Sequence, residues 1–133
     1  MQQEKSALHY KMLWLLIGYA MIAFVVMQSL TSSPVSVGFE LSDKLYHLIG
    51  YFGLMGWFVQ IYRSKFGRLV WGVFFIVMGI SLEFLQDIGG VRHFEVNDMI
   101  ANTTGVIIAW LLSGTVFSSC LLLIEKTVLK KAD

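Results

Sequence analysis

Cysteine, proline and charge are scarce in this chain, and each scarcity narrows the class of protein. The single cysteine, Cys120, cannot form an internal disulfide, and a cysteine-based zinc or redox cluster has no support. The only proline is Pro34, which we expect in a loop over residues 31–40. Charged residues make up 14% of the 133 residues and hydrophobic ones 56%, which excludes an ordinary soluble globular domain.

Four apolar runs account for this hydrophobic excess. They cover about residues 12–30, 45–62, 69–85 and 99–124. Each is close to the ~20 residues that a helix needs to cross a ~30 Å hydrocarbon core. The first run follows lysines but is longer than the core of a signal peptide and has no clear cleavage site, so it reads as an uncleaved anchor. The sequence predicts an all-α fold: residues 1–133 form one small integral membrane domain of four transmembrane helices.

The basic residues are distributed unevenly between the two sides of a four-span topology. Lys44 and Arg92 fall on one side, and the other eight fall on the opposite side: Lys5, Lys11, Arg63, Lys65, Arg68, Lys126, Lys130 and Lys131. Because positive charge is enriched in cytoplasmic loops, both termini are predicted to be cytoplasmic. The short basic loop at 63–68 orients the chain and gives no sign of nucleic-acid binding.

The third run carries polar residues before it has plainly ended. Gly72, Gly79, Glu83 and Gln86 share one helical face, so a smooth glycine surface leads to a carboxylate and an amide. A carboxylate near hydrocarbon is costly unless it faces protein or a wet cavity. We therefore expect Glu83 to lie between helices, toward the extracytoplasmic face.

Polar residues of the second and fourth runs are predicted to lie at the same membrane level as Glu83. The full set is Asp43, Lys44, His47 and Tyr51 from the second predicted helix, Glu83 and Gln86 from the third, Asp98 and Asn102 from the fourth, and Arg92 from the loop between the third and the fourth. Arg92 is expected to neutralise Glu83 or Asp98 through a bidentate contact. The sequence thus predicts one small wet pocket that opens outward.

Small residues and helix-capping residues complete the expectations for the bundle. Gly50, Gly53 and Gly56 are predicted to permit close helix packing, as is the ladder of Ala101, Gly105, Ala109 and Ser113. Ser42 and Asp43 are candidate caps of the second helix, and Asn97 and Asp98 of the fourth. Asn102 lies deeper than a cap, so an interhelical hydrogen bond is its expected use.

The same polar residues resemble the VanZ-like family of bacterial membrane proteins. The resemblance rests on Asp43-Lys44-x-x-His47-x-x-x-Tyr51, Glu83-x-x-Gln86, Arg92 and Asp98-x-x-x-Asn102-x-x-Gly105, and it covers about residues 43–114. It implies a multi-pass protein of the bacterial cytoplasmic (inner) membrane. The family is named for an accessory protein of glycopeptide resistance associated with teicoplanin. The resemblance supplies no mechanism.

The polar residues are assigned as ligand-binding candidates: Asp43, Lys44, His47, Tyr51, Glu83, Gln86, Arg92, Asp98 and Asn102. His47 and Glu83 are also the candidates for catalysis, each weighed against a plain structural ion pair or hydrogen bond. His93 and Glu95 read as solvated loop residues. No close His/Cys pair fixes a metal geometry, so neither a metal nor a cofactor is predicted, although Asp43, His47, Glu83 and Asp98 are suitable ligand types.

Three functions compete on this basis. The first is a binding or accessory protein for an envelope lipid, a lipid-linked glycan or a glycopeptide-type amphiphile. The second is a membrane-embedded hydrolase or transferase acting on a lipid phosphate or glycan, with Arg92 as its anion clamp. The third is a small proton-coupled exporter, which requires a carboxylate near the bilayer midplane. Membrane lipids are the expected partners, and a homo-oligomer is left open.

Overall fold

The computed structural model describes residues 7–33 and 43–132, and in these residues the fold is all-α, as predicted. The helices are α1 (Lys11–Leu30), α2 (Asp43–Ile61), α3 (Lys65–Ile88), α4 (Val96–Leu111) and α5 (Cys120–Ala132). Two short 3-10 turns, Leu112–Gly114 and Val116–Ser119, join α4 to α5. The expectations for Lys5, Pro34 and Ser42 lie outside the described residues.

The first four helices run antiparallel in sequence, which defines two ends of the bundle. At one end, Gln86 of α3 donates to the carbonyl of Ser29 on α1 at 2.6 Å. We call this the polar end; it also holds the starts of α2 and α4. At the other end, the indole of Trp57 donates to the carbonyl of Trp14 at 2.9 Å. This basic end includes the α2–α3 turn and α5, with seven of the described lysines and arginines.

Helix α2 lies at the centre of the bundle, and its closest partner is α4. A Cβ atom added at Gly105 would stand 2.3 Å from the carbonyl oxygen of Leu48 and 2.9 Å from the amide nitrogen of Phe52. Such distances are far inside van der Waals contact, so only glycine allows the two backbones to approach this closely. Ala101, Gly105 and Ala109 are all buried, which confirms the predicted packing seam for these three residues. Ser113, the fourth member of the predicted ladder, lies in the turn after α4 and is only partly buried.

The glycines of α2 are less uniform than predicted. Gly56 does pack closely, since an added Cβ would meet the ring of Phe117 at 2.9 Å. At Gly50 and Gly53 the described residues place nothing within 4 Å of an added Cβ. The interpretation of these two as packing glycines is therefore wrong: helix α4 crosses α2 on the other side, at Leu48 and Phe52.

An aromatic core fills the middle of the bundle between the two ends. The fully buried Phe58 of α2 lies 4.1 Å from Trp71 and 5.4 Å from Phe75, measured between ring centroids. Gly18 of α1 admits Phe58 from the other side, since an added Cβ there would be 2.9 Å from the ring. Large aromatic surfaces dominate the energetics of such a core, so α1, α2 and α3 are held together here.

Two helices of the described residues are long and apolar enough to cross a membrane: α1 and α3. Helix α2 is not among them, because Asp43, Lys44, His47 and Gln60 lower its mean hydropathy. Helices α4 and α5 qualify only together, as one bent pair. The composition thus supports two or three apolar spans, and the predicted count of four goes beyond this finding.

The fourth apolar run is not one straight helix, contrary to the expectation for residues 99–124. The axis turns by 80° between residues 114 and 116. Thr115 takes an extended conformation, with φ −107° and ψ −179°, and its hydroxyl donates to the carbonyl of Leu112 at 2.6 Å. The same hydroxyl accepts from the amide of Phe117 at 3.3 Å, so it begins the next helical turn in a new direction.

Candidate functional site

The site begins at the first turns of α2 and α4, which face each other across the close Gly105 contact. Lys44 of α2 bridges two acids: its ammonium lies 2.8 Å from Oδ1 of Asp98 and also pairs with Glu95. Asp98 is buried, whereas the Lys44 side chain is 40% exposed. The lysine therefore neutralises a buried carboxylate while its own head remains at the surface.

His47 lies one turn below Asp43 and Lys44 on the face of α2 that meets α4. Its Nδ1 lies 2.9 Å from Oδ1 of Asn102, which is the interhelical hydrogen bond expected of that asparagine. Because a carbonyl oxygen can only accept, Nδ1 carries the proton. The other ring nitrogen, Nε2, faces Oδ2 of Asp98 at 3.5 Å and Oδ2 of Asp43 at 3.9 Å.

Arg92 reaches the site from the α3–α4 connection, but its partner differs from the expected one. It forms an ion pair with Asp43 at the start of α2, and not with Glu83 or Asp98. Gly90, with φ +66°, turns the chain at this point. The amides of Val91 and Arg92 then return to the carbonyl of Gln86, at 3.0 and 3.4 Å. This turn directs Arg92 toward α2 and away from the bundle interior.

Glu95 belongs to the site, although the sequence favoured a solvated loop residue. Its carboxylate pairs with Lys44, and its side chain is 48% exposed. The hydrogen bond from the Lys44 ammonium, together with the positive charge, holds the pKa of Glu95 below its usual value. Glu95 is also the residue before α4, whose start carries no side-chain cap, so Asn97 and Asp98 do not cap this helix.

Glu83 and Gln86 line the buried side of the site, as their shared face with Gly72 and Gly79 predicted. Glu83 is 1% exposed and accepts from the amide of Glu95 at 3.5 Å. Gln86 is 2% exposed and bonds to the carbonyl of Ser29, so α1 also closes this end. Nothing in the first apolar run signalled this contact, since the acceptor is a backbone carbonyl at the end of α1.

Tyr51 is buried one turn below His47, on the same face of α2. An added Cβ at Gly79 would stand 3.2 Å from its ring, so glycine makes room for it on α3. Its side chain is 2% exposed, yet its hydroxyl has no hydrogen-bond partner among the described residues. A buried hydroxyl without a partner costs free energy. The Tyr51 hydroxyl is therefore available to form a hydrogen bond with a further group.

The structure brings all nine candidate residues to the polar end. Five of them are each at most 3% exposed: Glu83, Gln86, Asp98, Asn102 and Tyr51. The side chain of His47 is 11% exposed. Asp43, Lys44 and Arg92 form the solvent-facing layer, with side chains 32 to 42% exposed. His93 is exposed in the connection, as predicted. Buried amides and acids thus lie under an accessible layer of ion pairs, and an open wet chamber stays a prediction.

Three of the four residues that the sequence offered as suitable metal ligands lie close enough together to hold one ion. One oxygen each from Asp43 and Asp98 and one nitrogen of His47 lie within 4.8 Å of one another. Glu83, which the sequence grouped with them, is not part of this constellation. The arrangement is therefore narrower than the conceivable four-residue set, and it lies at the boundary between the buried and exposed layers.

Comparison with known proteins gives one finding about the whole chain. No curated protein and no solved structure matched it. Residues 2–117 match the VanZ/LLP1 family, which includes α1 to α4 and ends before α5. The match therefore contains every polar-end residue described above and extends the resemblance, seen over residues 43–114, to the first helix. Together with the apolar helices, this match means that the chain is a membrane protein belonging to the VanZ/LLP1 family.

Proposed function

We propose that the polar end binds the head group of an envelope lipid, a lipid-linked glycan or a glycopeptide-type amphiphile. The observation that carries the proposal is the two-layer arrangement. Exposed Asp43, Lys44 and Arg92 lie over buried Glu83 and Asn102, and their bonds are mostly to one another. Side chains that pair only with side chains can exchange those partners for a ligand's polar groups at modest cost.

The orientation belongs to the same proposal. We place the polar end on the extracytoplasmic side of a bacterial inner membrane, with four crossings and both termini in the cytoplasm. The concentration of lysine and arginine at the basic end supports this placement. An accessory role in the envelope or in antibiotic resistance, and assembly into a homo-oligomer, are consistent with it.

The alternative of a lipid hydrolase or transferase has less support. A catalytic base needs a nitrogen directed at the substrate. Both ring nitrogens of His47 instead face side-chain oxygens of Asn102, Asp98 and Asp43. The exporter alternative is weaker still: Glu83 lies five residues before the end of α3, about 7.5 Å along the helix axis, whereas the midplane of a ~30 Å core is about 15 Å deep.

Native mass spectrometry of the full chain, extracted with its lipids, tests the binding proposal. We expect a retained lipid or glycolipid mass on the parent protein and its loss in Arg92→Ala. Arg63→Ala is the matched control, since Arg63 is an exposed arginine at the basic end. His47→Gln should retain the ligand. A parent protein without a bound amphiphile, or an Arg92→Ala protein that keeps it, contradicts the proposal.

A further inference from the structure

We infer that Asp43, His47 and Asp98 form a binding site for one divalent cation of the zinc class. The inference does not require that the polar end bind a lipid. Its starting point is the charge of this end, where the described residues include five carboxylates (Asp43, Glu83, Asp87, Glu95 and Asp98) and two permanent cations (Lys44 and Arg92). A further positive charge is what this composition lacks.

The orientation of the His47 ring gives the second step. With its proton on Nδ1, held by Asn102, a neutral imidazole directs the lone pair of Nε2 at Asp43 and Asp98. A lone pair that faces two carboxylate oxygens is repelled unless something positive lies between them. Either the ring is protonated to an imidazolium, or a cation binds to Nε2 and to the two carboxylates.

The distances suit a cation better than a hydrogen-bonded imidazolium. The separations of 3.5 and 3.9 Å from Nε2 are long for an N–H···O hydrogen bond. Ligand atoms about 2.0–2.2 Å from a tetrahedral zinc lie about 3.4 Å from one another. The two separations from Nε2 are within about half an ångström of this value. The ligand atoms of all three groups lie within 4.8 Å of one another, so the two carboxylates would close around the ion by side-chain rotation.

The neighbouring residues match the surroundings that metal-binding histidines usually have. The second nitrogen of the ring is held by a fixed acceptor, the Asn102 amide, which sets the tautomer and the ring orientation. Lys44 contacts Oδ1 of Asp98, so Oδ2 remains directed at His47.

One imidazole nitrogen with two carboxylate oxygens indicates the class of ion. Imidazole suits zinc and related transition metals, whereas magnesium and calcium prefer oxygen ligands alone. Three protein ligands also leave a fourth position open to solvent, because Asp43 is 42% exposed. A polar group of the ligand proposed above could occupy it; this step alone rests on the proposed function, and Arg92 would then be released from Asp43.

The test titrates zinc into the full chain, purified in detergent and stripped of metal, by isothermal calorimetry with magnesium as comparison. We expect about one zinc per chain and little heat from magnesium. His47→Gln and Asp43→Asn should weaken zinc binding at least ~100-fold, and Asn102→Ala by ~10–100-fold. Asp43 is exposed, so its replacement is compatible with folding. His93→Gln, which changes an exposed loop histidine, should bind like the parent.

Two results would overturn the site. One is a parent protein that binds no zinc. The other is zinc binding that His47→Gln leaves unchanged and His93→Gln removes. Melting temperatures of the metal-free variants separate loss of the site from loss of the fold. Loss of lipid binding with zinc binding intact contradicts the proposed function but not this site.

Discussion

Buried polar side chains find different kinds of partner at the two ends of the bundle. At the basic end, the Glu125 carboxylate of α5 accepts from the amides of His9 and Tyr10, at 2.6 and 2.8 Å, and from the indole of Trp14 at 2.5 Å. At the polar end, the Asp98 carboxylate instead meets an ammonium and an imidazole. One carboxylate fixes the start of a helix, and the other belongs to a group of ionisable side chains.

Arg68 and Gln60 follow the pattern of Glu125. Arg68 donates to the carbonyls of Val59, Tyr62 and Ser113, and it thereby joins α3 to the ends of α2 and α4. Gln60 donates to the carbonyl of its own helix at Gly56 and accepts from the amide of Leu121 at the start of α5. Backbone groups are fixed by the fold, so these side chains are committed to structure.

From this difference in partners, we interpret the basic end as the part that stabilises the fold and the polar end as the part that binds ligands, within one chain of 133 residues. Partners at the basic end cannot be exchanged without moving a helix. At the polar end Glu83 and Gln86 also bond to backbone groups, but the partners of Asp43, Lys44 and Asp98 are side chains that can rotate. The family match ends at residue 117, so it contains the polar end and leaves out α5 with its Glu125 anchor. We therefore expect mutations at the basic end to act on the fold, and those at the polar end on ligands.

Gly105→Ala should have the largest effect, because it separates the two helices that carry the polar end. The new methyl group would stand 2.3 Å from the Leu48 carbonyl oxygen, and a rigid helix backbone cannot yield there. We expect a loss of about 3 kcal/mol in the free energy of unfolding, as for a severe case of overpacking. Thermal or denaturant unfolding in detergent measures it.

Gly53→Ala on α2 is the matched control for this substitution. The described residues leave open space around an added methyl group there, and alanine favours the helix. We expect a stability equal to the parent or up to about 1 kcal/mol higher. Equal destabilisation by the two alanines would mean that the α2–α4 contact at Gly105 does not hold the polar end together.

Glu125→Gln should cause the next largest loss of stability, and its structural effect should be confined to the basic end. The glutamine side chain has one acceptor oxygen in place of two, while three N–H donors converge on it. Its own NH2 group would face at least one of these donors, and two donors cannot bond to each other. Buried donors left unsatisfied predict a loss of about 3 kcal/mol. Hydrogen exchange should rise at the amides of His9 and Tyr10 and stay unchanged around Asn102. Lys126→Gln, an exposed neighbour on α5, should leave both regions as they are.

Helical periodicity predicted much of the polar end and little of the basic end. The face of Gly72, Gly79, Glu83 and Gln86 follows from 3.6 residues per turn, and the structure buries all four. The interhelical use of Asn102 followed from its depth within α4. Such patterns are visible because a few polar residues stand out against apolar runs.

Ion-pair partners and helix ends were not predictable in the same way. The pairing of Arg92 with Asp43 depends on the direction of the turn at Gly90, which the loop sequence does not determine. The 80° bend near Thr115 was missed because its neighbours are apolar enough to extend the fourth run. Glu125 gave no signal either, since its partners are backbone amides more than a hundred residues away in sequence.

Asp98→Asn at the polar end should cost less stability than Glu125→Gln, although both remove a buried carboxylate charge. Lys44 is 40% exposed and keeps Glu95 as a partner, so no charge is left buried without one. We expect a loss of about 1 kcal/mol, together with loss of zinc binding. A loss as large as that of Glu125→Gln, in the same unfolding assay, would show that both ends are structural and would remove the distinction.

The smallest expected effect concerns the pH dependence of the Lys44–Glu95 pair. The Lys44 ammonium lowers the pKa of Glu95 in the folded protein, so the unfolded chain takes up its proton at a higher pH. The pair's contribution is therefore present above the ordinary glutamate pKa of about 4.3 and is lost as the pH falls through the lower folded value. We expect parent and Glu95→Gln to differ slightly in melting temperature at pH 7 and to converge once the pH is below the lowered pKa of Glu95. Because the pair is exposed, 1 M salt should also reduce the difference at pH 7. A difference that persists in acid and in salt would mean that the Glu95 side chain does not act through its charge.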